Sequence, residues 1–348
     1  MTDPEIAPIV ELIDRAERIV LTSHIQPDGD AVGSTLALLR ALKAVGKKTW
    51  AIIPSHIPYG LRFILAGDNE IIRYDPRHDD RILEEADLFI MIDCAGADRA
   101  GNLGAKIVSL PQPLIVVDHH STNRFFGTLN YVIPGASSTG ALIMNILDAL
   151  EVELTLDLAL PLYVAIVTDT GNFNYPGTTQ RTHEKAGRLL AAGVQPYEVH
   201  RKLALDRSSA FMRLAGIALL TAQVGYEGKI AYSVIHHDLY RRFTPRLDEL
   251  PALPVYLLTV RGIEVGILFL EYEPGKILIE LRSQGLVNVA EVAKLLGGGG
   301  HAGAAGARVR GEAAGVIYRT LTEVDARLRR ARDRENSEEH RSEVWRKA

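Results

Sequence analysis

The sequence predicts an α/β protein in which a doubly wound, largely parallel sheet domain is joined by a helical linker to a smaller α/β domain. Three observations carry this expectation. Apolar runs of strand character alternate with helical patterns through the first half of the chain, at the spacing of β-α-β units. Three of those runs end on Asp or His residues, and the carboxyl ends of strands are where open α/β sheets bind ligands. Around Gly193-Val194-Gln195-Pro196 the alternation gives way to paired strand patterns.

Ile19–Thr22 is the first strand and runs into Ser23-His24-Ile25-Gln26-Pro27-Asp28-Gly29-Asp30. A helix from Ala31 to Val45 follows, started by Asp30 and stopped by Gly46, with Val32, Leu36, Leu39 and Leu42 on its apolar side. Trp50–Ile53 is a short strand closed by Pro54, Leu88–Ile92 runs into Asp93, and Leu114–Val117 runs into Asp118-His119-His120. Ser137-Ser138-Thr139 caps a helix that continues through Leu150, and a helix over Leu156–Val167 delivers Thr168-Asp169-Thr170-Gly171. A long helical stretch, Tyr197–Ala222, reads as a connector with Leu203, Phe211, Leu214 and Leu219 among its apolar positions. Strands over Lys229–Ile235, Val265–Glu271 and Lys276–Leu281 and a helix over Asn288–Leu296 build the second domain. The expected boundaries are therefore 1–192, a linker at 193–224, a second domain at 225–325 and a charged tail at 326–348.

Hydrophobic residues at 47% and charged residues at 24% are the composition of a globular protein with ordinary cores. The apolar stretch Leu154–Val167 is interrupted by Asp157 and Pro161 and is too short for a membrane span, so no membrane association is expected. Met1-Thr2-Asp3-Pro4-Glu5 has neither a basic nor an apolar signal region, and the single Cys94 excludes an internal disulfide. These features point to a cytoplasmic protein. The net charge of −4 is unevenly spread: residues 201–348 hold 23 of the 39 Lys and Arg but 18 of the 43 Asp and Glu. An acidic first half and a basic second half suit an anionic substrate. Arg327, Arg329, Arg330, Arg332 and Arg334, in the polar tail, account for this balance equally well.

Clustered carboxylates and imidazoles without a thiolate set suit a hard or borderline divalent ion, Mn²⁺ or Mg²⁺ before Zn²⁺. Asp28 and Asp30, taken singly, are explained as turn and cap residues at a helix start. The repetition of such residues at several strand ends is what favours metal binding. With six or seven ligands, two ions roughly 3.5–4 Å apart become feasible, sharing a carboxylate and acting together on a phosphoryl group. Asp93, at the end of a central strand, is the natural shared residue.

These segments carry a family resemblance. His24-x3-Asp28-Gly29-Asp30-Ala31-x-Gly33-Ser34, Asp93, Asp118-His119-His120 and Thr168-Asp169-Thr170-Gly171 resemble, in order, the motifs of the DHH phosphoesterase superfamily. Gly297-Gly298-Gly299-Gly300-His301-Ala302-Gly303-Ala304-Ala305-Gly306 is similar to the signature of the DHH-associated substrate-binding domain. The resemblance spans about residues 15 to 320 and is greatest to the nanoRNase and pAp phosphatase group. It implies one ion on His24, Asp28 and Asp93 and a second on Asp30, Asp93, His119 and Asp169, with Mn²⁺ expected before Mg²⁺. It further implies that Asp118 orients the neighbouring imidazoles, and that His120 contacts the scissile phosphate or protonates the leaving oxygen.

In the second domain it implies that Arg282, Ser283, Gly298, Gly299, Gly300 and His301 hold the phosphate or terminal nucleotide of a short substrate. An arginine suits this through its bidentate fork, and a glycine run through its open amide donors. Glu280 and Ala302 depart from the pattern, standing where relatives often have a small hydroxyl and a basic residue. His56, His78, His183, His200, His236 and His237 match no metal motif, and Cys94 reads as strand packing. The implied activity is a two-metal phosphodiesterase acting on very short RNA and on pAp, in a homodimer. A linear or cyclic dinucleotide phosphodiesterase is the alternative, ahead of a RecJ-like exonuclease or a sensor without catalysis.

Overall fold

The computed structural model describes residues 5–347. The chain divides into two units, residues 1–206 and 207–348. The first unit begins with helix α1 (Ala7–Arg15), strand β1 (Arg18–Thr22), helix α2 (Gly29–Ala44), strands β2 (Lys48–Ile53) and β3 (Ile71–Arg73), helix α3 (Pro76–Glu84) and strand β4 (Leu88–Ile92). Helix α4 (Gly101–Ser109), strands β5 (Leu114–Asp118) and β6 (Leu129–Val132), and helices α5 (Thr139–Ala149), α6 (Leu156–Asp169), α7 (Gln180–Ala191) and α8 (Pro196–His200) complete it.

All six strands are parallel, in the order β3-β2-β1-β4-β5-β6. The chain builds outward from β1 in one direction, returns to pair β4 with β1, and then builds the other way. The reversal falls between β1 and β4, and a crevice opens outside the carboxyl ends at such a switch point. Strand alternation supplies both faces of the sheet. Ile19, Leu21, Ile90, Ile92, Ile115 and Val117 pack with apolar residues of α1, α2, α5 and α6, whereas Val20, Phe89, Met91 and Val116 pack with Leu83 of α3 and Leu103 and Ile107 of α4. The expected doubly wound, parallel α/β architecture is thus present.

Pro161 lies inside α6 and cannot donate to the carbonyl of Asp157. Arg40 Nη1 takes that carbonyl at 2.8 Å, and its other nitrogens bind Glu70 at 2.7 and 2.9 Å. One guanidinium therefore repairs the proline's missing hydrogen bond and ties α2 to α6.

The second unit comprises helix α9 (Ser209–Leu220), strands β7 (Gln223–Gly225) and β8 (Ile230–Ile235), helices α10 (His237–Phe243) and α11 (Leu253–Leu257), and strands β9 (Val265–Glu273) and β10 (Lys276–Ser283). Helix α12 (Val289–Leu295), strands β11 (Gly299–His301) and β12 (Ala304–Arg310), and helix α13 (Ala313–Lys347) follow. Its sheet runs β11-β12-β10-β9-β8-β7, parallel only between β8 and β9. One face packs with Val289, Val292 and Ala293 of α12 and with Val316, Val324 and Leu328 of α13. The other packs with Phe211, Leu214, Ala215 and Ala218 of α9.

Three expectations are corrected. The stretch Tyr197–Ala222 is not one helix, because α8 passes into a π-helical turn at Arg201–Leu205 and the chain restarts at Ser208. Buried Glu249 accepts from both the Ser208 amide (2.9 Å) and hydroxyl (2.8 Å), which fixes Ser208 as the cap of α9. Helix α9 consequently belongs to the second unit's core and not to a linker over 193–224. Asp28, not Asp30, starts α2, accepting from the Asp30 and Ala31 amides at 3.0 and 3.1 Å. The charged segment after 325 is helical, a solvated helix being one of the two states a polar tail of this kind can take; it continues α13, with Arg327 paired to Glu291 and Glu323, Arg329 to Asp325 and Arg332 to Glu227. Among the described residues no helix is long and apolar enough to cross a membrane.

Candidate metal centre

The carboxyl edge of the first sheet gathers the predicted ligands. His24 follows β1, and its Nδ1 lies 2.9 Å from the carbonyl of Ile25, which turns Nε2 toward Asp93 Oδ2 at 3.5 Å. His119 follows β5 in the same manner. Its Nδ1 lies 3.0 Å from the carbonyl of Ala136, and its Nε2 faces Asp169 (3.3 Å), Asp93 (3.7 Å) and Asp30 (3.8 Å). An imidazole that donates one N–H to a backbone carbonyl and turns the other nitrogen toward carboxylates is oriented as metal-binding histidines are.

Asp93 leaves β4 in the left-handed region, with φ +56°. That conformation is costly for a non-glycine residue and persists where the surroundings fix it. The Asp93 amide donates to the carbonyl of Val117 at 2.9 Å, and Thr139 Oγ1 donates to its carboxylate at 2.9 Å. Asp30 is buried against the start of α5, accepting from the Thr139 amide (2.6 Å), the Gly140 amide (2.8 Å) and Ser34 Oγ (3.0 Å). Asp169 stands in the last turn of α6, the helix end where a carboxylate is least favourable and a neighbouring cation most useful.

Donor atoms of His24, Asp28 and Asp93 lie within 4.8 Å of one another, and so do those of Asp30, Asp93 and His119. Asp93 belongs to both sets. Asp93, Asp118 and His120 form a further close group. Asp118 is fully buried; one oxygen lies 2.7 Å from His120 Nδ1 and the other accepts from Asn123 Nδ2 at 2.6 Å.

The electrostatics call for positive charge. Burial raises the Asp30 carboxyl, and Asp93 beside it adds to the rise, giving a pKa of about 7. Burial likewise lifts Asp169 well above the usual carboxylate range. Burial works against charging His24 and His119, but the hydrogen bond with Asp93 and the charge of Asp28 outweigh it at His24, and Asp169 and Asp30 do so at His119. Both imidazoles reach about 9. For Asp93 burial is outweighed by His24 and the other imidazoles, so its carboxyl is held low. Five carboxylates and three imidazoles, two of them aimed by backbone carbonyls, are an oxygen and nitrogen donor set suited to divalent ions.

Asn123 and Thr139 are the functional residues that sequence reasoning missed or left open. Thr139 reads from the sequence as a cap residue with Ser137 and Ser138, but Ser138 alone caps α5 while Thr139 serves Asp30 and Asp93. Asn123 carried one weak signal, an amide side chain three residues after the paired imidazoles.

In the second unit the β10–β12 and β11–β12 registers set Arg282 and His301 both opposite Ala304, so the two flank one small residue on one face. Arg282 is already engaged, with Nη1 donating to the carbonyl of Leu281 and Nη2 to that of Pro251, each at 2.8 Å, and Glu280 lying 3.7 Å away. Ser283 Oγ binds Glu264 at 3.1 Å and accepts from the Gly285 amide at 3.1 Å. The glycine run is not an open loop. Gly299 to His301 pair with β12, and a Cβ at Gly298 or Gly300 would meet the carbonyls of Gly306 and Ala304 at 2.1 and 2.5 Å. These glycines permit close strand packing.

A family profile described as the DHH family, N-terminal domain, matches residues 18–166, and one described as the DHHA1 domain matches residues 228–330. The bifunctional oligoribonuclease and PAP phosphatase NrnA of Thermus thermophilus is 34% identical, over 90% of this chain and 91% of that protein. The protein of the same name from Bacillus subtilis is 27% identical, over 86% of this chain and 92% of that one. The crystal structure of an exopolyphosphatase-related protein from Bacteroides fragilis is 25% identical and covers 93% of this chain and 97% of that chain, with a TM-score of 0.86.

Proposed function

Because this chain belongs to the DHH family and carries the DHHA1 domain after it, we propose that it is a metal-dependent phosphoesterase that degrades very short oligoribonucleotides to mononucleotides and dephosphorylates pAp. The observation that carries this reading is the pair of donor sets that share Asp93.

His24, Asp28 and Asp93 would hold one divalent ion, and Asp30, Asp93, His119 and Asp169 the other, an oxygen and nitrogen donor set that suits Mn²⁺ before Mg²⁺. When bound, such a pair activates water and neutralises the charge that gathers on the phosphoryl oxygens. The protein's own groups do the rest. Thr139, Gly140 and Ser34 hold Asp30 in place, and the carbonyls of Ile25 and Ala136 fix the two imidazoles. Asp118 keeps a proton on His120 Nδ1 and so leaves Nε2 to meet the scissile phosphate or to protonate the leaving oxygen. Arg282, Ser283 and His301 hold the terminal phosphate or nucleotide, the arginine exchanging a carbonyl partner for the anion, while Gly298 to Gly300 let β11 pack closely on β12 and so set His301 beside Arg282. We further infer a homodimer, which sedimentation of the purified chain tests, and a cytoplasmic location, which cell fractionation tests.

The experiment is a hydrolysis panel with Mn²⁺ and Mg²⁺ over di- to pentanucleotide RNA, pAp, pApA, short DNA and pyrophosphate. Short RNA and pAp are the expected substrates, and Asp93→Ala and His119→Ala should each abolish turnover. Undiminished turnover in both variants would sink the two-metal assignment, and preference for pApA would move the reading to a dinucleotide phosphodiesterase.

A further inference from the structure

We propose that Tyr175 is a stacking platform for a single nucleobase beside the metal centre, an inference that rests on the phosphoesterase reading above. The chain leaves Asp169 through Thr170 and Gly171, and the Tyr175 ring lies across Gly171. A Cβ at that glycine would sit 2.4, 2.5 and 2.8 Å from the ring's Cζ, Cε1 and Cδ1, and Gly171 adopts φ +54°. The ring leaves no room for a Cβ, and the left-handed backbone favours glycine further.

The loop is a fixed mount. The amides of Asn174 and Tyr175 both donate to the carbonyl of Thr170 at 2.9 Å, and the Thr178 amide donates to the carbonyl of Tyr175 at 2.9 Å. Asn174 Nδ2 donates to the carbonyls of Gly171 and Asn172, each at 2.9 Å. Two successive non-glycine residues, Asn172 and Phe173, take φ of +57° and +64°. Such backbone strain persists only where the surroundings determine it, and it gathers at ligand sites. Phe173 anchors the loop from within, stacked on His183 at 5.1 Å between centroids and tilted against Tyr163 at 6.3 Å. One aromatic ring of the loop is thus packed inward, while Tyr175 is held in place with 45% of its surface exposed.

Gly171 is two residues from Asp169, so their Cα atoms lie at most about 7.6 Å apart. The ring that covers Gly171 is therefore carried by the same turn that presents Asp169. A preset aromatic face accepts any base, because every base has a π-face, and stacking on it is worth roughly five- to a hundredfold in affinity. The bland alternative is that the ring merely covers Gly171. Tyr175→Leu separates the two, since leucine still covers the glycine but offers no π-face.

The test uses the full chain with Mn²⁺ and three substrates: a ribodinucleotide and its two singly abasic counterparts. For Tyr175→Leu and Tyr175→Ala, KM for the dinucleotide should rise roughly tenfold with kcat little changed, and Tyr175→Phe should match the wild type. One abasic substrate, the one lacking the stacked base, should have the same KM in wild type and Tyr175→Leu. An unchanged KM for the dinucleotide in Tyr175→Leu overturns the platform, and so does an equal rise on all three substrates. Absence of wild-type turnover on every substrate overturns the phosphoesterase reading and this one with it.

Discussion

Asn123 Nδ2 lies 2.6 Å from Asp118 Oδ2, and the opposite oxygen of the same carboxylate lies 2.7 Å from His120 Nδ1. One amide therefore sets the direction of a carboxylate, and through it the direction of an imidazole. Asn123 Nδ2 also reaches the carbonyl of Cys94 at 3.2 Å, and its Oδ1 accepts from the Phe125 amide at 2.7 Å, so the side chain has no second arrangement that keeps these partners.

Asn123→Ala should leave a buried carboxylate oxygen without its donor, which costs about 1–3 kcal/mol of stability, read from urea unfolding. If His120 protonates the leaving oxygen, the variant should lose at least tenfold in kcat on a ribose leaving group and much less on p-nitrophenolate, which needs no proton. Equal losses on both would assign His120 to phosphate contact instead.

Asp93 is shared by both donor sets, whereas His24 belongs to one of them. Titration of the purified protein with Mn²⁺ should reveal two bound ions in the wild type, one in His24→Ala and none held tightly in Asp93→Ala. Two ions retained in Asp93→Ala would show that Asp93 is not the ligand the two donor sets share.

Much of this centre was legible because strand ends announce themselves: an apolar run such as Leu88–Ile92 followed by Asp93 fixes both the strand and the place of the carboxylate. The positioning groups were not legible. The carbonyls of Ile25 and Ala136 that aim the imidazoles carry no residue-type signal at all. The false linker helix had the same origin, since apolar spacing ran across Ser208 and only the distant Glu249, 41 residues on, determines that a new helix begins there. The glycines before His301 read as open amide donors because β12 announces itself only weakly: its buried positions Ala305 and Ala307 are small, and the pairing of Gly299 to His301 with that strand carries no residue-type signal.

Arg40 is nearly buried, and its loss would strand Glu70 and the carbonyl of Asp157 together. Arg40→Met should cost about 3 kcal/mol, as breaking a buried ion pair does. Pro161→Ala restores an N–H for that carbonyl, so the double variant should recover part of the loss, and a double-mutant cycle in urea measures the coupling. Strict additivity would show that Arg40 stabilises the fold through Glu70 and its other partners and not through the Asp157 carbonyl.

Glu280 gives the fold a dependence on pH. Burial lifts its carboxyl from 4.5 to about 7, and Arg282 and Arg308 only partly offset the rise. Below pH 4.5 the group is protonated whether the chain is folded or not, and it costs nothing. Between 4.5 and about 7 the unfolded chain ionises while the folded one retains its proton, so stability falls as pH rises through this window and levels off above it. At roughly 1.4 kcal/mol per pKa unit the loss is at most about 3 kcal/mol. Glu280→Gln keeps the shape without the charge. Its stability relative to wild type should therefore improve between pH 4.5 and about 7 and level off above that in urea unfolding series. A difference independent of pH would mean that Arg282 and Arg308 neutralise the carboxylate fully, and that the departure at this position is a settled ion pair.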